Sequence, residues 1–511
     1  MIKPDLPAYP SIIHALASAV SKSPDTTALV CGDQRLAYAE YGRAVAGLAN
    51  TLLDLDVKGG RVVLMMSNSI EMAVALFAVM AAGAQVAPVN PFFKEAELEP
   101  ILADAEACVI LADPAALDKA NALAADAGVK HVLRLGSGGL GLDDWLGRPD
   151  LRLQEHHLPK PSDPALLIFS GGTTGLPKGV EHDHQGLAVT MAQHCTAWPV
   201  EFGVERFLSV APLFHIWGLG YAALAPIYAR GTLVLVPKFE PEALLQAIDT
   251  HRITVFAGGP APIYSSLMGS PGMQSVDFSS LKYCLTGGAP CPEELHRAWQ
   301  AATGCRLLEG YGMSETGPMC LTPANRPSKL LSVGFPVAET EIQIVDIDTG
   351  SWLMPANEPG EIRARGPQFT RGYRRRPDET AQLIRDGWLY TGDIGYLDEA
   401  GHLFLIDRKK EMVIVGGYNV YPRQVDEVLM NHPKILEAAT IGKPDARLGE
   451  VMVAFVVLKA GQQMTEEDFF EYCRDSMVKY KRPVEVTFME TLPRTGARKI
   501  DKRALRQGLA G

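Results

Sequence analysis

Up to about residue 310 the chain alternates between two hydrophobic periods. Unbroken apolar runs at 61–66, 108–111 and 231–236 have strand length. Between them, stretches such as 70–82 and 241–250 repeat their apolar positions at helical spacing. Strands alternating with helices predict βαβ units and mainly parallel sheets. Residues 135–163 are rich in Gly, Pro, Asp and His and read as a surface excursion between two such halves. From about 330 to 406 the texture changes to short alternating strands separated by Gly/Pro turns, as in 341–345 and 360–365, which predicts a small antiparallel or barrel-like region. A charged junction, Asp407-Arg408-Lys409-Lys410-Glu411, then leads into a final α+β segment of roughly a hundred residues.

The apolar stretch 72–89 has the length of a membrane span. Ala82-Gly83-Ala84-Gln85 interrupts it and Pro88-Val89-Asn90-Pro91 closes it, so a buried helix followed by a short buried strand fits better, with no transmembrane segment. The whole chain, 511 residues with 47% hydrophobic and 21% charged positions, is ordinary for a globular protein and needs no disulfide or metal staple. A net charge of −11 argues against a nucleic-acid partner, whose footprint is usually basic. The eight cysteines are scattered without C-x-x-C pairs, and the N-terminus lacks a secretory pattern, so reduced thiols and a cytoplasmic location are expected.

The strongest local signal is Ser170-Gly171-Gly172-Thr173-Thr174-Gly175-Leu176-Pro177-Lys178-Gly179, directly after the apolar run 165–169. Glycines let a backbone turn tightly and point N–H groups at an anion, the threonines add hydroxyls, and Lys178 adds a mobile cation. Such a cradle suits the outer phosphates of a nucleotide. It is not a Walker A loop, which requires G-K-[ST]. Further along stand Gly287-Gly288-Ala289-Pro290, Tyr311-Gly312-Met313-Ser314-Glu315-Thr316, a Thr391-Gly392-Asp393 turn, and Pro212-Leu213-Phe214-His215-Ile216-Trp217-Gly218. Read singly, these are a strand-end turn, a solvated helix start, a β-turn and a core histidine among aromatics.

Taken in order, over roughly 160 to 505, they resemble the adenylate-forming enzymes: AMP-forming acyl-CoA synthetases, adenylation domains and beetle luciferases. Where those usually have Ser, this chain has Gly171, and where they usually have Thr it has Ser314. The resemblance implies an α/β fold: a large N-terminal domain (1–407) of mainly parallel βα layers plus a small β-barrel-like region, then a small mobile α+β domain (408–511). It implies ATP, Mg²⁺ and coenzyme A as co-substrates and a small carboxylic acid as partner, and it admits a homodimer. By resemblance, Gly287, Gly288, Ala289 and Pro290 lie against adenine with Tyr311 stacked on it, followed by Gly312 and Met313. Ser314 meets the α-phosphate region, Glu315 and Thr173 hold the metal, and Asp393 and Arg408 hold the ribose.

The acid pocket would take His215, Ile216, Trp217, Gly258, Gly259 and Met319, with His215 positioning the carboxylate. No general base is needed for the first step, because the attacking carboxylate is ionised at neutral pH. Lys410 matches the hinge, and Gly416-Gly417-Tyr418 begins the loop brought in for thioester formation. Near the end, Pro493-Arg494-Thr495-Gly496-Ala497-Arg498-Lys499 resembles P-K-T-x-x-G-K, with Arg494 for Lys and Arg498 for Gly. Lys499 would bridge the carboxylate and the α-phosphate in the first step only.

The expected activity is a carboxylic acid–CoA ligase acting on a medium- or long-chain fatty acid or an aromatic acid. Two alternatives stand beside it: a stand-alone enzyme loading a carrier protein, and a non-catalytic nucleotide- or acyl-binding protein on the same scaffold.

Overall fold

The computed structural model describes residues 6–170, 177–289, 291–327, 329–494 and 500–509. By contacts the chain divides into two compact units, one of 1–341 with 365–388, the other of 342–364 with 389–511.

The first unit carries two large sheets. The six-stranded one runs, edge to edge, His131–Arg134, Val109–Ala112, Arg61–Met65, Gln85–Val89, Pro164–Ser170 and Lys178–Asp183. All its pairings are parallel except the last. Its apolar runs do not alternate with polar residues because both faces are covered. Val62 and Leu64 enter one buried cluster while Val63 and Met65 enter another on the opposite face.

The helix Ile70–Ala81 between two of these strands is buried at every residue except Glu71. Ser69 caps its start by accepting from Met72 N at 3.0 Å. Its end is turned by Gly83 at φ +71°: Gly83 N donates to Met80 O (3.1 Å) and Ala84 N to Val79 O (3.2 Å). Each fully buried Val, Leu, Ile or Met here contributes about 1.5–3 kcal/mol. The apolar stretch at 72–89 is thus a buried helix and strand, and among the described residues no helix is long and apolar enough to cross a membrane.

The nine-stranded sheet runs Phe335–Pro336, Gly317–Leu321, Leu307–Met313, Tyr283–Gly287, Val255–Gly259, Arg206–Ser209, Thr232–Leu235, Thr27–Cys31 and Gln34–Ala37. Its centre is parallel and both edges are antiparallel. Three neighbouring strands end in glycine-rich stretches at the same edge of the sheet. These are Gly258–Gly259, Gly287–Gly288 and Gly310–Gly312, the last continuing into the turn that holds Glu315. In open α/β sheets ligands bind outside the carboxyl ends of the strands.

In the second unit, strands at Gly360–Arg365, Trp388–Leu397 and Leu403–Arg408 pair antiparallel, forming the small curled sheet expected from the alternating texture. A separate sheet combines Tyr418–Val420, Val413–Val415, Gly449–Leu458, Ile435–Asp445 and Glu485–Phe488, with helices Pro422–Met430 and Glu466–Ser476. Gly416 (φ +58°) and Gly417 (φ +86°) form the two-residue turn joining Val413–Val415 to Tyr418–Val420. Two consecutive left-handed positions make a hairpin turn that glycine adopts at no steric cost.

Candidate active site

On either side of the phosphate-loop string, the strands Pro164–Ser170 and Lys178–Asp183 pair antiparallel, with Ser170 opposite Lys178. Gly172, Thr173, Thr174 and Gly175, together with Pro290 and Lys499, lie outside the described residues. Lys178 is ion-paired with Glu379 on the helix Pro377–Leu383, and its ammonium lies 4.9 Å from the centre of the Tyr373 ring. That ammonium holds the Glu379 carboxyl below the usual carboxylate range. Incoming phosphates would compete with Glu379 for the same cation.

Tyr373 links Lys178 to Glu315. Its hydroxyl donates to Glu315 Oε1 at 2.8 Å, and burial, reinforced by that carboxylate, holds the phenol well above its ordinary pKa. The phenol therefore stays protonated and keeps donating.

Glu315 is no solvated helix start. It sits 5% exposed in the turn between the antiparallel strands Leu307–Met313 and Gly317–Leu321. Thr370 ties this corner together: its N–H donates to Glu315 O (2.8 Å) and its hydroxyl to Glu181 O (2.7 Å). His182 donates from Nε2 to Ser314 O at 2.7 Å, so it braces the turn, and Asp183 caps the helix His184–Ala197.

Among the described residues no three His, Cys, Asp or Glu side chains gather into a metal cluster. A single buried carboxylate fits Mg²⁺ carried in by nucleotide phosphates, because this ion keeps most of its shell as water and phosphate oxygen. Tyr373→Phe removes the hydrogen bond that aims Glu315, so we expect KM for MgATP to rise about tenfold with a smaller change in kcat. Pyrophosphate release measured against ATP concentration checks it.

Beside this corner, the strand ends are shaped by close approach. A Cβ on Gly287 would lie 2.5 Å from Gly310 O and 2.6 Å from the Trp217 ring, and one on Gly312 would lie 2.0 Å from Gly317 O. Only glycine allows this packing. The Trp217 indole spans the sheet edge from Gly259, near its Nε1, to Gly287 and Gly310, near its benzo edge. His215 caps the short turn that presents it, accepting at Nδ1 from Trp217 N at 3.3 Å. Tyr311 is 8% exposed and Met319 fully buried, while Gly288 adopts φ +74°. The structure therefore gathers Lys178, Ser314 and Glu315 into one corner, and Trp217, Gly259 and Gly287 along one strand edge.

In the second unit, Asp393 and Arg408 face each other across paired strands, with Arg408 Nε 3.3 Å from Asp393 Oδ1. Lys409 donates to Glu361 Oε2 at 2.9 Å, and Glu411 pairs with Arg506. Between these two anchors the Lys410 side chain is exposed. Tyr418 is 58% exposed and stacks on Tyr480, rings 4.5 Å apart.

Sequence reading missed Tyr373, Glu379 and Thr370. Each acts through a contact distant along the chain.

The family profile of the AMP-binding enzymes matches residues 16–374, and that of the AMP-binding enzyme C-terminal domain matches 424–499. A long-chain-fatty-acid–CoA ligase of Bacillus subtilis (strain 168) is 35% identical, covering 96% of this chain and 93% of its own. A feruloyl-CoA synthase of an Amycolatopsis species is 36% identical, covering 95% and 96%. The crystal structure of ATP-bound MatB from Rhodopseudomonas palustris is similar with a TM-score of 0.89 and 30% identity, covering 97% of this chain and 98% of that one. With both profiles matched in order and relatives aligned over nearly their whole length, the chain belongs to the AMP-binding enzymes, the adenylate-forming superfamily that includes fatty-acid and aryl-acid CoA ligases.

Proposed function

We infer that the protein is an AMP-forming carboxylic acid–CoA ligase whose substrate is a fatty or an aromatic acid. The reaction runs in two steps. The carboxylate oxygen attacks the α-phosphorus of MgATP and pyrophosphate leaves, giving an acyl-adenylate. The thiol of CoA then attacks the acyl carbon, the thioester forms, and AMP leaves. The observation that carries this reading is the buried corner of Lys178, Tyr373 and Glu315, on the turn continuing the strand that holds Gly310 and Tyr311. A cation and a carboxylate so placed suit a metal-bound polyphosphate.

In this scheme Lys178 and the phosphate loop bind the outer phosphates. Glu315 and Thr173 would hold the metal, whose charge would offset that of the phosphates. Tyr311 with Gly287 and Gly288 receives adenine, and Asp393 with Arg408 receives ribose, since one carboxylate can accept from both ribose hydroxyls. His215, Trp217 and Gly259 border the acid. Lys499 neutralises charge between carboxylate and α-phosphate, then withdraws as residues 408–511 turn about Lys410 and bring Gly416-Gly417-Tyr418 to the thioester step. The functional boundary at 407/408 is supported by Lys409 and Glu411 being anchored to different partners while Lys410 is exposed. A cytoplasmic site of action agrees with eight free cysteines.

The acceptor is tested by following AMP release with free CoA and with a holo carrier protein. AMP and acyl-CoA in equal amounts with free CoA is the expected result; acylation of the carrier alone would overturn CoA as acceptor. Lys410→Pro should slow thioester formation from preformed acyl-AMP about tenfold or more, leaving adenylate formation nearly unchanged. Single-turnover assays of the two half-reactions separate these, and a defect confined to the first step would remove the pivot.

A further inference from the structure

Lys178 is held from two sides. Its ammonium lies over the Tyr373 ring, and the Glu379 carboxylate forms an ion pair with it. The same carboxylate accepts from Arg376 Nη1 at 3.0 Å, one residue before the helix Pro377–Leu383 begins. That helix is tied to the turn carrying Tyr373, because Tyr373 N donates to Thr380 Oγ1 at 2.9 Å. Gly372 lets the two segments meet: at φ +143°, a Cβ there would lie 2.4 Å from Thr380 Cγ2. Ring and carboxylate are therefore presented to Lys178 as one unit.

Glu379 is the odd member of this corner. A nucleotide brings several negative charges on its outer phosphates to a loop suited to receive anions. Glu379 sets a further negative charge on the single lysine of the loop string. A phosphate oxygen reaching that ammonium must displace the carboxylate or settle beside a like charge, and either costs affinity. The Lys178 side chain is 17% exposed and that of Glu379 29%, and ion pairs open to water are weakly held, so displacement is within reach. A displaced Glu379 is not stranded, because Arg376 still pairs with it. The ammonium thus has two alternative anions, one supplied by the chain and one by the substrate.

We propose that Glu379 is a positioning residue that acts through Lys178, competing with the outer phosphates for its ammonium and so loosening the grip on ATP and pyrophosphate alike. The proposal rests on the ligase reading, which seats those phosphates at Lys178. It bears on turnover. Pyrophosphate must leave once the adenylate has formed, and a carboxylate beside Lys178 takes the cation back as the product departs. AMP and the acyl-adenylate carry no outer phosphates, so Glu379 leaves their binding untouched.

The test compares wild type with Glu379→Gln, which keeps the shape and removes the charge, and with Glu379→Asp, which keeps the charge on a shorter stem. Titration calorimetry with Mg²⁺ and no acid gives Kd for ATP, pyrophosphate and AMP. Glu379→Gln should bind ATP and pyrophosphate about three- to tenfold more tightly than wild type, and AMP within about twofold of it. Glu379→Asp, with a looser pair, should fall between the two. A residue that only holds the helix in place would weaken binding when replaced, so the sign decides. Unchanged or weaker binding of ATP and pyrophosphate in Glu379→Gln would overturn the proposal while leaving the ligase reading intact. Tightening of AMP by the same factor would mean that the whole nucleotide site had shifted, and would overturn it too. Should Glu379→Gln fail to fold, Glu379→Asp decides on the same comparisons. A wild type that binds none of the three would remove the ligase reading, and this proposal with it.

Discussion

Replacing Lys499 with alanine is expected to lower acyl-adenylate formation about 10²–10³-fold, the usual cost of removing one preorganised charge from a transition state. Thioester formation from synthetic acyl-AMP should stay within about twofold, because in the proposed scheme this lysine has withdrawn with its domain before the thiol attacks. The asymmetry follows from the chemistry of the first step. Attack at phosphorus is governed by positioning and by neutralising oxygens that carry negative charge on both reactants. Lysine supplies a compact cation on a long stem and can leave with its domain. On either side of Lys499 in the sequence, Arg494 and Ile500 form a β-bridge, and Arg494 pairs with Glu437. Equal loss in both half-reactions, measured by rapid quench, would mean that Lys499 serves both steps.

Asp426→Ala should destabilise the C-terminal part of the chain by about 3–5 kcal/mol, seen as a lowered calorimetric transition. Asp426 is 8% exposed on the helix Pro422–Met430, and three donors converge on it. Thr440 N lies at 2.6 Å, Thr440 Oγ1 at 2.7 Å and Lys502 Nζ at 2.8 Å. Removing the carboxylate strands a largely buried ammonium as well as two neutral donors, which is the expensive way to break a buried pair. Lys502 opens the helix Lys502–Leu509, three positions after Lys499 in the sequence. Adenylate formation should therefore fall together with stability, whereas Asp426→Asn, which still accepts from Thr440, should cost less. An unchanged transition in the alanine variant would show that the cluster does not hold this helix in place.

The fold was legible where burial follows the backbone period. The helices Ile70–Ala81 and Pro241–Thr250 and the strands at Arg61–Met65, Val109–Ala112 and Thr232–Leu235 lie where hydrophobic periodicity puts them, to within a residue at their ends. Apolar runs covered on both faces can only be inner strands of a layered sheet. Gly287 was read, by resemblance, as lying against adenine, but the chain's own close approaches were not legible: Gly310 O and Trp217 at Gly287, and Gly317 O at Gly312, come from other strands and turns.

Glu315 read alone as a solvated helix start, since nothing local announces that Tyr373, far along the chain, will pair with it in a strand turn. Glu379 escaped for the same reason. A lone glutamate after a proline is bland until folding sets it against Lys178. Sequence carries periods and local turn chemistry, whereas pairings between distant side chains exist only once the sheets are stacked.

Coupling of carboxylate activation to thioester formation is open to mass spectrometry of the purified protein with MgATP and a mixture of aromatic and fatty acids, first without and then with CoA. Bound acyl-AMP and pyrophosphate are expected in the first case, and acyl-CoA with an equal amount of AMP in the second. ADP and orthophosphate in place of AMP and pyrophosphate, or no acyl-AMP with any acid, would contradict that coupling.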